Sequence, residues 1–557
     1  MGAARPQAIP LGRARRGVGA RLPVALLLVG LPVCLVWGMS RLLDAIAAYA
    51  PADGGVYREA VVGASIPLDP LAPTGAPRDP DLTPLLFRGL VQVDEHGRVA
   101  PDLAERWVVS GEGRVYTFYL RPDLAWDDGV PLTAGDAVDT VRRAAQATTA
   151  DGGPSFWADV AVTALEPGIV QFELREPLGS FLEHAALPIV ATHAPPGDAA
   201  GYDRPASSGP YRLAGPGPGS IALERNPAYF GPPPMLDRVE FQLMPTRDAA
   251  LRTLLAGQVD GLADLTQTER AQVDESQRLE VYDVPEYNKY GLLVLNTQSP
   301  VFRDRSVRQA VGQAIDRQAL VHLALDGQGE PAFGPLPPLS WAFDASLPYQ
   351  SSGPAAGELL ETAGWRVADD RGPRRRDGQP LVVSLLASEA APRQREASEV
   401  ARQLAAVGFQ VELKTLPLDR LLRDHLETGE FQAALIGRWL PETDPDQFAL
   451  WHSTQARGLG GNYGGISSPE LDRWLEIGRR QIAPDERGEA YRRFQAAWVE
   501  EQPSIVLYYP HTAYALSRDL QGIRGGPLPD VSWRLRELPE WHRQMSRQFA
   551  WPLWSAR

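Results

Sequence analysis

Residues 381–440 decide the fold, and they read LVVSLLASEAAPRQREASEVARQLAAVGFQVELKTLPLDRLLRDHLETGEFQAALIGRWL. Their apolar pattern predicts strand, helix, strand, helix and strand, over residues 381–387, 392–407, 409–413, 418–426 and 431–437. Gly408 and Gly429 follow the two helices, as expected for the residue type that most often closes a helix. This alternation predicts an α/β fold with a parallel sheet and right-handed crossovers.

Polar and aromatic residues follow the ends of these strands, where ligands of such sheets bind. Ser388 and Glu389 come directly after the first strand, and residues 438–446 (RWLPETDPD) follow the third. Trp439 precedes three acids in that segment, Glu442, Asp444 and Asp446. An aromatic face beside carboxylates suits an amine or another polar organic ligand. The alternative is that Trp439 is a core residue, because large aromatics bury their area wherever the fold allows.

Composition excludes several classes of function. The chain has 557 residues, 44% of them hydrophobic and 22% charged, which is ordinary for a globular protein. Its net charge of -14 makes it repel phosphate backbones, so we expect no nucleic-acid partner. Lys289 and Lys414 are the only lysines, which argues against Schiff-base chemistry. Cys34 is the only cysteine, which excludes internal disulfides and cysteine-built metal sites.

The motifs of common enzyme classes are missing from the sequence. It contains no G-x-S-x-G elbow, no H-E-x-x-H pair, no Walker A motif and no calcium loop. His184 and His193 are nine residues apart, which matches no metal-ligand spacing. Carboxylate pairs of glycosidases have no fixed spacing, so a hydrolase stays open as an alternative. The balance favours a binding protein without covalent chemistry and without a cofactor.

The N-terminus predicts a membrane segment. Residues 22–40 (LPVALLLVGLPVCLVWGMS) carry no charge and are long enough to cross a bilayer as a helix. The preceding residues 1–21 form a basic tail, which predicts a cytoplasmic N-terminus and an extracytoplasmic main domain after a linker at 41–55. Ala48-Tyr49-Ala50 resembles a signal peptidase site, but Pro51 follows it directly. We favour an uncleaved anchor over a cleaved signal peptide.

Long sequence blocks resemble the family 5 extracellular solute-binding proteins of bacterial ABC importers, the dipeptide- and oligopeptide-binding type. They lie between about Ala64 and Gly522. The blocks are LLFRGLVQVDEHGRVAPDLAERW from Leu85, YTFYLRPDLAWDDGVPLTAGDAV from Tyr116, SGPYRL from Ser208, VFRDRSVRQAVGQAIDR from Val301, DPDQFALWHS from Asp444, GNYGG from Gly461 and SPELDRWL from Ser468. Several such blocks in the right order are far more specific than any single short motif.

The resemblance implies a two-lobed clamshell of the type II periplasmic-binding-protein class, with an additional domain II. It places lobe I at 56–75, 207–285 and 506–557, domain II at 76–206, and lobe II, or domain III, at 286–505. Trp439 matches the family's ligand tryptophan. The family's aspartate, which holds the ligand's ammonium, corresponds to Glu442 or to Asp444. Trp341, Asn462 and Tyr463 are weaker binding candidates, because they are loop residues beside the matching blocks.

The function implied by the resemblance is capture of a peptide-like solute by lobe closure and delivery to an ABC permease and its ATPase. We expect a monomer anchored in the bacterial cytoplasmic membrane, with its large domain on the extracytoplasmic side. The alternatives are a binder of another polar solute, such as an oligosaccharide or a nickel complex, an extracytoplasmic hydrolase, or a ligand sensor.

Overall fold

The computed structural model describes residues 47–63, 68–71, 82–147, 155–194, 204–217, 219–347, 352–367, 372–440, 443–456 and 460–549. The membrane segment predicted at 22–40 lies outside these residues and stays a prediction. In the part of the chain that the structure describes, no helix has the length and apolarity needed to cross a membrane. Two compact units form, residues 53–543 and a smaller unit from both chain ends. The smaller unit contains a two-stranded antiparallel sheet, Ala47–Ala52 with Gln544–Phe549.

The strands of the described residues are numbered in chain order. They are β1 (Ala47–Ala52), β2 (Val56–Val62), β3 (Val91–Val93), β4 (Val99–Pro101), β5 (Ala104–Ser110), β6 (Val115–Leu120), β7 (Ala161–Glu166), β8 (Ile169–Glu173), β9 (Tyr211–Gly217), β10 (Ser220–Arg225), β11 (Arg238–Met244), β12 (Gly261–Leu262), β13 (Leu279–Pro285), β14 (Lys289–Leu295), β15 (Gly329–Pro331), β16 (Arg375–Arg376), β17 (Gln379–Pro380), β18 (Val382–Ser388), β19 (Gln410–Leu416), β20 (Ala433–Trp439), β21 (Ser504–Ser517) and β22 (Gln544–Phe549).

The α-helices of the described residues are numbered in the same way. They are α1 (Thr83–Leu86), α2 (Ala134–Gln146), α3 (Phe181–His184), α4 (Arg247–Leu255), α5 (Gln267–Asp274), α6 (Arg305–Ala314), α7 (Arg317–Ala324), α8 (Gly353–Thr362), α9 (Ala391–Ala406), α10 (Leu418–Arg420), α11 (Phe448–Trp451), α12 (Pro469–Arg480) and α13 (Pro484–Glu501). A π-helical segment, Leu421–Leu426, continues α10. Short 3-10 helices occur at Gly111–Gly113, Phe156–Asp159, Ser453–Gln455 and Val531–Glu540.

A twelve-stranded mixed sheet forms the centre of the larger unit, and β21 belongs to both of its halves. The strand order is β19-β18-β20-β14-β21-β12-β2-β11-β10-β9, with β13 and β15 also paired to β21. The first part of β21 pairs with β14, and its last part pairs with β13 and β12. The half with β14, β18, β19 and β20 is called lobe II below, and the half with β2 and β9–β13 is called lobe I.

The α/β order predicted from residues 381–440 is confirmed. β18 is parallel to both β19 and β20, and α9 connects β18 to β19. The sheet as a whole is mixed, because β14 is antiparallel to β20 and to β21. The second predicted helix begins as α10 and ends in the π-helical segment. Element bounds differ from the predicted ones by a few residues, as expected where helix and strand ends are set by tertiary hydrogen bonds.

Each face of the lobe II sheet packs against its own helices. Successive residues of a strand point to opposite faces. Leu293 and Leu295 of β14 therefore belong to one core cluster, whereas Leu292 and Val294 belong to another. The first cluster includes apolar residues of α6, α7 and α9, and the second includes those of α12 and α13. This double coverage explains why β18 and β14 are almost continuously apolar.

Residues 90–206 have a separate hydrophobic core. An antiparallel sheet of β5, β6, β8 and β7 packs against the amphipathic helix α2. Tyr116, Phe118 and Phe172 are fully buried between them. A capping box between Thr133 and Asp136 fixes the start of α2. The described part of this region is called domain II below, and the exact lobe and domain boundaries given above remain predictions.

We predict that Gly291→Ala destabilises the fold, because Gly291 of β14 pairs with Tyr508 of β21, the strand shared by both lobes. A Cβ at Gly291 would lie 2.4 Å from Cε1 of Tyr508. Tyr508 cannot move away easily, because its hydroxyl donates to Glu396 (2.7 Å) and accepts from Arg393 (3.2 Å). Such overpacking costs about 1–3 kcal/mol of unfolding free energy. Urea denaturation measures it, with Gly168→Ala as the control because open space surrounds that position. Equal midpoints for both variants would contradict the prediction.

Candidate functional site

The chain passes between the lobes at residues 286–288, next to the segment 528–529. The N–H of Tyr287 donates to the carbonyl of Leu528 (3.0 Å), and that of Asn288 to the carbonyl of Pro529 (2.9 Å). The carbonyl of Asn288 in turn accepts from the N–H of Leu440, just after β20 (2.7 Å). Backbone hydrogen bonds therefore hold both lobes at one short region, which can act as a hinge.

Two neighbouring cavities lie beside this hinge region. The larger, called the main cavity, has a volume of ≈ 620 Å³ and is lined mostly by lobe I and by the β3–β4 hairpin. The smaller, called the hinge cavity, has ≈ 30 Å³ and is lined by Tyr287, Asn288 and the segment after β20. Glu95 and His96 of the hairpin line both cavities, as does Leu339 of lobe II. The two cavities thus adjoin at the hairpin tip.

Trp439, the first predicted binding residue, is the last residue of β20. Its backbone pairs with Lys289, the first residue of β14 after the hinge. The side chain is 60% exposed, which excludes the core position left open by the sequence. The next residue, Leu440, lines the hinge cavity, whereas Trp439 lines neither of the two cavities. The structure therefore places an exposed aromatic face at the edge of the site.

Asp444, the second candidate, is buried and already neutralised. Its two oxygens accept from Arg487 at 2.9 and 2.7 Å, and both side chains are less than a tenth exposed. Arg487 also donates to the hydroxyl of Tyr491 (3.3 Å) and lies over the ring of Trp341. Asp444 does line the hinge cavity. Its carboxylate nevertheless forms an ion pair with Arg487 of α13, and the ring of Trp341 covers this ion pair.

The other candidates from the sequence are dispersed. Glu442 lies outside the described residues. Ser388 is half-buried at the end of β18 and lines neither of the two cavities. Asn462 is buried, and its amide bonds to the backbone of His452 and Ile466, so it holds a loop together. Tyr463 packs under the guanidinium of Arg438, 5.0 Å away.

Domain II contacts the segment that carries Asp444. The carboxylate of Glu183, in α3, accepts from the N–H and the hydroxyl of Thr443 (2.7 and 2.8 Å) and from the N–H of Asp444 (2.7 Å). The β3–β4 hairpin makes a second contact, because the N–H of Trp341 donates to the carbonyl of His96 (3.2 Å). These hydrogen bonds connect domain II to lobe II beside the hinge cavity.

The tip of the β3–β4 hairpin lines both cavities, a position that the sequence did not predict. Asp94 accepts from the N–H groups of His96 and Arg98 (2.9 and 2.8 Å), which fixes the turn. Gly97 has a φ of 80°, and a Cβ there would lie 2.8 Å from the carbonyl oxygen of Thr443. Glu95 is left about half-exposed at the junction of the cavities. The Asp-Glu-His-Gly sequence indicates a turn but not what the turn faces.

In the described residues, no group of three His, Cys, Asp or Glu side chains could hold a metal ion.

Asp446, an acid close to Asp444 in the chain, is protected from water. Burial raises the pKa of this carboxyl, although Arg479 lies 3.8 Å away. The site therefore consists of cavities, paired charges and exposed aromatic rings.

A mixed sheet in two halves, a short hinge region between them and a cavity beside it define a two-lobed solute-binding protein. The family model described as "Bacterial extracellular solute-binding proteins, family 5 Middle" matches residues 98–459, more than half of the chain. The chain therefore belongs to family 5 of the bacterial extracellular solute-binding proteins. Members of this family are binding proteins rather than enzymes.

Individual relatives agree with this assignment. Protein XP55 of Streptomyces lividans is 31% identical over 488 residues, which cover 85% of this chain and 87% of XP55. The structure of the oligopeptide-binding protein AppA from Bacillus subtilis with a nonapeptide is similar at a TM-score of 0.63 and 25% identity, over 89% of this chain and 100% of that one. NikZ from Campylobacter jejuni in complex with Ni(L-His) shares the fold at a TM-score of 0.65 and 24% identity, over 87% and 99%.

We predict that Asp444→Asn lowers stability, because it leaves Arg487 buried without a counter-charge. Breaking a buried pair in this way costs about 3–5 kcal/mol. The change is measured as the free energy of unfolding in urea. Asp419→Asn is the control, since its pair with Arg423 is exposed and should contribute less than about 1 kcal/mol. Unchanged stability of Asp444→Asn, together with lost ligand affinity, would show that Asp444 serves the ligand instead.

Proposed function

We propose that this protein captures a peptide-like solute between its lobes on the extracytoplasmic side of the membrane and delivers it to the permease of an ABC importer. The main cavity carries this proposal. Its ≈ 620 Å³ lies within the range of about 300–1,000 Å³ that is typical of ligand sites. The structure of AppA, which was solved with a nonapeptide, aligns over the whole length of AppA with 89% of this chain.

The lining of the main cavity suits a solute that carries both charges and apolar groups. Arg88 and Arg536 are among its basic residues, and Glu95 and Glu537 are among its acids. Tyr229 and Trp533 add aromatic surface beside them. Peptides combine an ammonium, a carboxylate and side chains of varied polarity, so such a lining is complementary to them.

Trp439 is the proposed aromatic contact for the ligand. An exposed tryptophan leaves a large apolar face in contact with water. A ligand that covers this face removes it from water, which contributes favourably to the binding free energy. The position of Trp439 as the last residue of β20, paired with Lys289 just after the hinge region, would bring it to the edge of the closing lobes. Of the acids considered for the ligand's ammonium, Asp444 is bound by Arg487. We therefore retain Glu442 as the proposed ammonium partner and assign Asp444 to holding its segment in place.

We further propose that the protein acts as a monomer and delivers its solute to a permease and ATPase. Residues 22–40 would attach it to the cytoplasmic membrane. The large domain would then remain close to the permease between rounds of transport. In the described part of the chain, no specific feature favours the oligosaccharide, nickel-complex, hydrolase or sensor alternatives.

We predict that Trp439→Ala weakens peptide binding without loss of stability. Isothermal titration of the full chain with tri-, tetra- and penta-alanine would give the affinities. Loss of this aromatic contact should lower affinity at least about tenfold, while the melting temperature stays unchanged because the ring is exposed.

The control is Leu418→Ala, which removes an apolar side chain of similar exposure (54%) away from both cavities. It should bind like the wild type. Equal affinities of the two variants would contradict the role of Trp439, and a wild type that binds none of the peptides would contradict the peptide function itself.

A further inference from the structure

We propose that Arg536 binds a carboxylate of the captured solute in the main cavity. The inference rests on the proposed function and specifies one pole of its ligand. Arg536 belongs to the 3-10 helix Val531–Glu540 and lines the main cavity, to which its side chain is exposed. In a peptide without acidic side chains, the group that binds there is the carboxyl terminus.

Ion pairing separates Arg536 from the other arginines of the cavity. Arg88 pairs with Asp102 at 2.8 Å, Arg524 pairs with Glu540 at 2.7 Å, and Arg534 pairs with the buried Glu59. For Arg536, no carboxylate of the described residues lies within ion-pairing distance. Its Nη1 donates to the carbonyl of Val93 (3.0 Å), which satisfies one of the five N–H donors of a guanidinium.

The guanidinium of Arg536 is held in a fixed orientation. Its central carbon lies 3.5 Å from the centroid of the Trp533 ring, so the ring supports one face of the planar group. The bond to Val93 fixes the direction of one edge. A planar fork held in this way is prepared for two parallel hydrogen bonds to a carboxylate, which has the matching geometry.

The electrostatic environment favours an anion at this position. Desolvation by the surrounding protein and the charge of Arg88 lower the pKa of Arg536 to about 10, although the carboxylates of Asp530, Glu183 and Glu95 act in the opposite direction. The group is still charged at neutral pH. A guanidinium with no described carboxylate within ion-pairing distance gains free energy when a carboxylate forms charged hydrogen bonds with it. The open cavity gives a solute access to it.

Matched peptides and matched variants test this assignment. Tri-, tetra- and penta-alanine carry one carboxylate each, and their C-terminal amides carry none. Isothermal titration of the full chain should show at least about tenfold weaker binding of each amide to the wild type, because the charged hydrogen bonds are lost. Arg536→Gln should weaken the free acids to the level of the amides and leave the amides unchanged.

Arg524→Gln is the matched control, since Arg524 lines the same cavity but is already paired with Glu540. It should keep the preference for free acids. If the wild type binds acids and amides equally, the carboxylate assignment is overturned while the peptide function stands. If it binds none of the peptides, both are overturned. The comparison of acids with amides in the wild type tests whether a carboxylate is recognised, and Arg536→Gln, or Arg536→Lys if the first variant does not fold, tests whether Arg536 recognises it. A folded variant that keeps the full preference for free acids would overturn the assignment to Arg536.

Discussion

The hydrogen bonding of β21 is the constraint on which the rest of the structure depends. A strand must pair its backbone N–H and C=O groups, and β21 pairs with β14 in lobe II and with β13 in lobe I along its 14 residues. Both lobes are thus built on one strand. Residues 286–288 form the second crossing, which bonds to residues 528–529. The two cavities lie beside this short region that joins the lobes.

Buried charges organise the side of the site that belongs to lobe II. The pair of Asp444 with Arg487 joins the segment after β20 to α13, and Glu183 joins the same segment to domain II. Three parts of the protein therefore meet at residues 443–444. The side of the site that belongs to lobe I is built differently, since three of its four cavity arginines are paired and Arg536 is turned toward the cavity without a described carboxylate partner. This asymmetry leaves Arg536 as the cavity arginine that we propose for an anionic group of the solute.

The sequence predicts those parts of the fold that depend on local pattern. Residues 381–440 predict the parallel strands β18, β19 and β20, because strand length, glycine positions and continuous apolarity all lie within one stretch. The same stretch predicts Trp439 just past the third strand, and in the structure it is the last residue of that strand, β20; its part in ligand binding stays a prediction. The role of Asp444 could not be read in this way, because its partner Arg487 lies 43 residues further along the chain. The sequence did not single out Arg536 either. What distinguishes it from the other cavity arginines is that no described carboxylate lies within ion-pairing distance, and this becomes visible only in the folded chain.

Capture of a peptide-like solute by a single chain is the central claim, and native mass spectrometry tests it most directly. The full chain would be incubated with a mixed digest of short peptides and sprayed from a non-denaturing buffer. The account predicts complexes of one chain with one peptide, which disappear when the protein is unfolded. Detection of only the ligand-free chain, with peptides present in large excess, would contradict it.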